Sequence, residues 1–143
     1  RDCEEILYRY ALCQDTADLE GFVALFDDDA VWERPLGGPP IRGRREISEN
    51  ARDLFAGRPP TFVCQHILTN TIFEVMSEVK VGCTCYALAF TGHRAAEGEA
   101  PPLPAAPAGI LRYRAELRCG EDGWKFTYFK AMRIFNPPRS PGG

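Results

Sequence analysis

His66 is a candidate for proton transfer because it lies in a segment, residues 63–70, that alternates like a β-strand. Successive strand residues point to opposite faces, so His66, Leu68 and Asn70 are predicted to share one side. Imidazole is the side chain best suited to exchanging a proton near pH 7. The residues alone leave two other interpretations open: a core histidine bonded to a backbone carbonyl, and a histidine on an outward-facing strand.

Tyr10 and Asp15 are candidates to work with such an imidazole. Tyr10 belongs to the apolar face of a helix predicted over residues 2–14, where its hydroxyl requires a hydrogen-bond partner. Asp15 follows the end of that helix, and a carboxylate there opposes the helix dipole, so capping does not account for it. Beside His66, a carboxylate would fix the imidazole tautomer and raise its basicity, and a phenol would donate to a substrate oxygen.

Further residues are predicted to contact a substrate rather than to transfer a proton. Arg133 alternates with Phe129 in the last strand, and its side chain either extends to solvent or reaches into a pocket. Tyr113 lies on the apolar face of the preceding strand, opposite a face that carries several arginines. The complete predicted binding set is Asn70, Arg133, Trp32, Leu68, Tyr113 and Phe129.

The elements that must position these residues change character along the chain, from helical spacing to alternation. Helices are predicted at residues 2–14, 19–26 and 44–55. Strands are predicted at residues 30–33, 62–76, 82–90, 110–119 and 124–135. The predicted connections are a turn at residues 27–29, a loop at 35–42, a proline-rich surface loop at 93–109 and a flexible tail at 137–143.

This order of elements indicates a single α+β domain, residues 1–143, whose helices cover one face of an antiparallel sheet. Hydrophobic residues make up 45% of the chain, which is more than a flat sheet would need to bury. A strongly bent sheet that closes on the first helix would leave a cavity, and small-molecule sites lie in such cavities.

Composition excludes several classes of protein. The formal net charge is -3 and no run of Lys or Arg stands out, which argues against a nucleic-acid partner. No apolar stretch approaches the ~20 residues that span a bilayer, so no membrane helix is predicted. The six cysteines lie in apolar patterns without a CxxC pair, and only two histidines are present. We therefore predict reduced cysteines, a cytoplasmic location, and neither a metal nor another cofactor.

Several segments taken together resemble SnoaL-like proteins of the nuclear-transport-factor-2-like superfamily. They are the run YRYALCQDTAD at residues 8–18, followed by residues 22–32, 43–47, 66–70 and 123–126. The resemblance implies a cone-shaped α+β barrel, with three N-terminal helices packed on a highly curved mixed or antiparallel sheet that encloses a pocket.

The resemblance also implies which residues form the site. The dehydratase and dehydrochlorinase branches of the superfamily use a His–Asp dyad as general base, and His66 and Asp15 occupy the matching positions. Tyr10 and Arg133 match the Tyr and the Arg of the bile-acid dehydratase pattern. An Arg of the dehydrochlorinases is replaced by Phe129, which argues against dehydrochlorination.

The resulting prediction is a cofactor-independent lyase or isomerase of the dehydratase type, acting on a small, apolar ring substrate as a homodimer or homotrimer. His66 would remove a proton, Asp15 would orient it, and Tyr10 with Asn70 would bind oxygen. One alternative is a ligand-binding or scaffold protein of the same fold without catalysis. The other is a polyketide-type cyclase, which would need an acid on a later strand.

Overall fold

The computed structural model describes residues 1–137, and these form three helices and six strands. In chain order they are α1 Asp2–Thr16, α2 Leu19–Val23, β1 Phe26–Glu33, β2 Ile41–Arg42, α3 Gly43–Ala56, β3 Phe62–Val75, β4 Lys80–His93, β5 Gly109–Gly120 and β6 Gly123–Phe135. Of the predicted tail, residues 137–143, all but Pro137 lies outside the described residues. No helix in residues 1–137 is both long and apolar enough to cross a membrane.

The strands form one mixed sheet in the order β2-β1-β6-β5-β4-β3. Neighbours are antiparallel except β1 and β6, which run parallel. Helix α1 packs against β3 and β6, while α3 packs against β1 and β2. The pairing shows register shifts in β1, β3, β5 and β6, and a bulge bends a strand and adds local twist. The sheet does not close on itself, and the predicted cone-like α+β fold is confirmed.

An aromatic cluster around Tyr10 of α1 forms the centre of the core. Its ring centroid lies within 6.3 Å of five other aromatic rings, those of Phe22, Phe26, Tyr113, Phe126 and Phe129. Burying each such side chain contributes about 1.5–3 kcal/mol. The packing therefore holds α1 against the sheet and fixes the position of the Tyr10 hydroxyl.

The structure corrects the sequence prediction between residues 19 and 42. Helix α2 ends at Val23, and residues 27–29 belong to β1 instead of a turn. The pairing of β1 with β6 is irregular between Phe26 and Val31, so the three aspartates at residues 27–29 occupy a bulge between two buried residues. Three consecutive aspartates are also typical of a turn, which explains the incorrect prediction. The predicted loop at 35–42 ends in the short strand β2, because Ile41 is buried beside β1.

Strand β3 contains a second departure from simple alternation. Its pairing with β4 shifts between Thr69 and Ile72, and Asn70 adopts a left-handed backbone conformation with φ 55°. Residues before the shift keep the expected faces, but Asn70 and Ile72 both turn outward. The prediction that Asn70 shares a face with His66 is therefore wrong. The proline-rich connection is also shorter than predicted, spanning residues 94–108, because β4 and β5 each extend into it.

Candidate functional site

A cavity of about 220 Å³ lies between α1 and the inner face of the sheet. Its apolar wall comes from β1, α3, β5, β6 and the loop after β1, through Trp32, Leu36, Leu54, Leu111 and Ala131. Its polar groups converge from five places in the chain: Tyr10, Gln14, Arg34, His66, Tyr113 and Arg133. A mostly apolar cavity with a few convergent polar groups is the usual form of a small-molecule site.

His66 and Asp15 form a hydrogen-bonded pair at this cavity. The distance from His66 Nδ1 to Asp15 Oδ1 is 2.6 Å, and the backbone N–H of His66 donates to Asp15 Oδ2 at 2.9 Å. The side chains are only 14% and 15% exposed. The carboxylate therefore bonds both the ring and the backbone of His66, which fixes the ring orientation from two directions.

The pair also selects the tautomer of the imidazole. An ionised carboxylate only accepts hydrogen bonds, so the ring proton lies on Nδ1. The second ring nitrogen, Nε2, then carries a lone pair and has no hydrogen-bond partner among residues 1–137. Because His66 lines the cavity, this nitrogen is the one available to a bound molecule.

The end of α1 positions Asp15. The helix runs to Thr16, two residues further than predicted, and Ala17 closes it in the left-handed conformation with φ 54°. Asp15 thus lies in the last helical turn, where the helix dipole disfavours a carboxylate. Its contacts with His66, 51 residues later, provide the compensating hydrogen bonds.

Arg58 supports this junction and was not identified from the sequence. One terminal nitrogen of its guanidinium donates to the carbonyl of Gln14 at 2.5 Å, next to Asp15. The guanidinium also lies over the rings of Phe55 and Phe62, at 4.8 and 5.3 Å from their centroids. It therefore ties the end of α1 to α3 and β3. A single arginine in a loop carries no spacing signal that would reveal this contact.

Cys64 completes a group of potential metal ligands with the pair. Its Sγ lies 3.7 Å from Asp15 Oδ1, and one donor atom each from Asp15, Cys64 and His66 lie within 4.8 Å of one another. Sulfur, imidazole and carboxylate donors together suit Zn²⁺. The carboxylate and the imidazole already satisfy each other at hydrogen-bonding distance, however, so a metal would have to displace the Nδ1 proton.

The Cys64 thiol is expected to resist alkylation at ordinary pH. Burial, followed by the nearby Asp15 charge, raises the pKa of the Cys64 thiol to about 11 despite the opposing effect of Arg58. A raised thiol pKa leaves only about one thiolate in a thousand at pH 8. Iodoacetamide at pH 8 should therefore label the more exposed Cys119 well before Cys64, as peptide mass spectrometry would measure. Labelling of Cys64 should rise about tenfold per pH unit toward pH 11. Equal labelling of both thiols at pH 8 would contradict this prediction.

The Tyr10 hydroxyl accepts two hydrogen bonds and keeps its own proton for a third. Trp32 Nε1–H and Gln14 Nε2–H both donate to the Tyr10 oxygen, each at 3.1 Å. Burial raises the pKa of the Tyr10 phenol more than these two donors lower it, so the phenol stays protonated. With both lone pairs of the oxygen occupied, the O–H is free to donate to a molecule in the cavity.

The remaining predicted binding residues fall into three groups. Trp32, Tyr113 and Arg133 line the cavity. Phe129 lies behind it, stacked on the Tyr10 ring at 3.9 Å between centroids. The other two, Leu68 and Asn70, do not line it: the first packs partly buried against the core and the second is exposed beyond the β3 bulge. Seven other lining residues were not predicted from the sequence as part of the site: Gln14, Arg34, Pro35, Leu36, Leu54, Leu111 and Ala131. The first four show no apolar periodicity. The last three lie on predicted apolar faces, where periodicity does not distinguish a cavity wall from the core.

Solved structures of similar fold include proteins named for different reactions. A candidate dehydratase of the NTF2-like family from Streptomyces avermitilis is 16% identical, covering 94% of this chain and 95% of that chain with a TM-score of 0.76. A candidate scytalone dehydratase from Novosphingobium aromaticivorans is 20% identical, with coverages of 94% and 83% and a TM-score of 0.72. A candidate aromatic ring hydroxylase from the same organism is 21% identical, with coverages of 94% and 87% and a TM-score of 0.73.

Identities this low demonstrate a common fold, not a common reaction. The family itself is shown by a direct match, since residues 1–130 correspond to the SnoaL-like domain. This segment contains both members of the hydrogen-bonded pair, Asp15 and His66, and all but two residues of the described cavity lining. The chain belongs to the SnoaL-like domain family.

Proposed function

We propose that this protein is a cofactor-independent lyase or isomerase of the dehydratase type, with His66 as its general base. The observation that carries the proposal is the 2.6 Å contact between His66 and Asp15 at the wall of a largely apolar cavity. A carboxylate that holds one ring nitrogen protonated leaves the other as a base. Membership of a family with dehydratase-named structural neighbours supports the same reaction class.

The proposed reaction begins with removal of a proton from a carbon next to a carbonyl group. His66 Nε2 takes this proton while the Tyr10 O–H donates to the carbonyl oxygen, where negative charge develops. In a dehydration, the C–O bond between the next carbon and its hydroxyl group then breaks. The imidazolium gives its proton to the departing hydroxyl oxygen, which leaves as water. In an isomerisation, the imidazolium returns the proton to another carbon instead. Both routes leave His66 neutral at the end.

The cavity volume limits the substrate to about one ring with small substituents. A cavity of roughly 150 Å³ accepts benzene, and about 220 Å³ is available here. Trp32 and Leu111 offer apolar surface for the ring, while the polar groups lie on the side of Tyr10 and His66. The substrate we propose is therefore a hydroxylated or ketonic single-ring compound.

The alternatives make different demands on the cavity. A polyketide-type cyclase would need an acid on a later strand, and no carboxylate from β4, β5 or β6 lines the cavity within residues 1–137. A ligand-binding protein without catalysis would use the same cavity but would not need the oriented imidazole. The contact of His66 with Asp15 therefore favours catalysis over ligand binding alone, and the lack of a lining acid on β4, β5 or β6 within residues 1–137 favours a lyase or isomerase over a cyclase.

The proposal can be tested by following proton removal directly. Hydroxylated and ketonic single-ring compounds would first be screened by thermal shift, since a ligand that binds the native state raises Tm. Each compound that binds would then be incubated in D₂O, and exchange at the carbon next to the carbonyl followed by NMR. The wild-type protein should catalyse exchange or elimination, and His66→Gln should not. Tight binding without exchange or turnover would favour the ligand-binding alternative.

The Tyr10 hydroxyl is expected to act mainly in the transition state. Tyr10→Phe should lower kcat by about 100- to 1,000-fold with little change in KM, because it removes a donor aimed at developing negative charge. Steady-state kinetics on a substrate from the screen would measure this. Tyr8→Phe, which removes a hydroxyl from an exposed tyrosine of the same helix, is the matched control. A Tyr10→Phe variant with the kcat of the control would remove Tyr10 from the mechanism.

A further inference from the structure

Two arginines face the cavity and have no acidic partner. Arg133 of β6 lines the wall, and its Nε is buried without a hydrogen-bond partner among residues 1–137. Arg34 lies at the exposed mouth of the same cavity. Neither forms an ion pair within the described part of the chain. The carboxylate of the candidate site, Asp15, is already engaged by the ring and backbone of His66.

An arginine nitrogen without a partner in a buried setting is unusual. Buried polar groups nearly always find a hydrogen bond, and a guanidinium removed from water normally faces an anion. Here Arg133 Nε is the only buried side-chain nitrogen or oxygen without a partner in residues 1–137. Arg133 lines the cavity, and the other formally charged residue of the lining, Arg34, is also positive.

Gly109, the first residue of β5, creates the space that the guanidinium occupies. A Cβ at this position would lie 2.7 Å from one terminal nitrogen of Arg133, closer than side-chain atoms normally approach. The backbone of Gly109 is not in the left-handed region, so its conformation does not require glycine. The missing side chain therefore serves to let Arg133 lie over the strand end.

We propose that Arg133, assisted by Arg34 at the mouth, binds a carboxylate of the substrate. The planar guanidinium matches a carboxylate with two parallel hydrogen bonds, and such charge-assisted bonds are the strong ones. The substrate is then a single-ring carboxylic acid in its anionic form, in place of the uncharged apolar ring expected from the sequence. This inference rests on the proposed function only in taking the cavity as the substrate site.

The test compares benzoate with benzamide, which has nearly the same shape but no charge. Isothermal titration calorimetry on the full chain should show benzoate binding at least about tenfold more tightly than benzamide. Arg133→Gln should weaken benzoate by about 10- to 100-fold and leave benzamide unchanged. Arg34→Gln, at an exposed position, should weaken benzoate by only about two- to threefold at low salt. Arg112→Gln, on the outer face of β5, is the matched control and should change neither ligand.

Gly109→Ala is a second test of the role of Arg133, and it leaves the arginine itself in place. The added methyl group would lie too close only to the flexible end of Arg133, and its 3.7 Å approach to the Phe135 carbonyl oxygen is an ordinary contact. Tm should therefore change little, while benzoate binding weakens about as much as in Arg133→Gln. Three results would overturn the inference. They are equal affinity for benzoate and benzamide, no benzoate binding at millimolar concentrations, and a preference for benzoate over benzamide that is unchanged in both Arg133→Gln and Gly109→Ala. Because binding is measured without turnover, a charge-selective cavity that catalyses no proton exchange would refute the proposed function alone.

Discussion

Replacement of His66 by glutamine is expected to lower kcat by about 100- to 10,000-fold on any substrate that the protein turns over. Glutamine is similar in size to histidine and can still form hydrogen bonds, but it cannot accept a proton near pH 7. Binding of the substrate ring depends on the apolar wall instead, so KM should change by less than about threefold. Steady-state kinetics and deuterium exchange at the reacting carbon would both report the loss.

The chain offers a matched control in its other histidine. His93 lies at the end of β4, exposed, where its Nδ1 pairs with the Thr61 hydroxyl at 3.0 Å. His93→Gln should leave kcat and exchange unchanged. If His66→Gln retained activity within a few-fold of this control, His66 could not be the base, and the cavity would have to be explained as a binding site or by another catalytic group.

The sequence predicts which way a site residue faces where that residue lies on a regular element. Tyr10 lies on the buried face of α1, and Tyr113 belongs to a strand whose alternation is strict. For such residues, periodicity is enough to separate core from solvent. The meeting of Asp15 and His66 is different, since the two residues are 51 positions apart. No local pattern brings them together. Their chemistry makes a pair plausible, and the resemblance to a family implies it.

Residues at irregular positions were not predictable in this way. Simple alternation along β3 places Asn70 on the cavity side, but a bulge between Thr69 and Ile72 reverses the faces. A bulge depends on the pairing of two strands and leaves no clear mark in either one. The contact of Arg133 with Gly109 likewise arises from the register of β6 on β5. Such features depend on how strands pair in the folded protein, so no single segment of the sequence predicts them.

Asp15 is expected to matter as much as His66, although it touches no reacting atom. Asp15→Asn should lower kcat by about 1,000- to 10,000-fold, the magnitude seen when the orienting aspartate of a serine-protease triad is changed in this way. The physical reason is the tautomer. The single asparagine oxygen can accept the backbone N–H of His66, which leaves the amide group to donate to Nδ1. The ring proton must then reside on Nε2, and the base is lost.

The test of Asp15 combines a control with a double variant. Asp18→Asn removes a carboxylate three residues later while keeping the cap of α2, because asparagine also accepts the Gly21 N–H that Asp18 binds at 2.9 Å. That control should retain kcat. When Asp15→Asn is added to His66→Gln, kcat should fall little further, because the effects of residues that act through one another are not additive. Losses that simply multiply would show that Asp15 does not act by orienting His66, and that its hydrogen bonds to His66 serve only to hold α1 against β3.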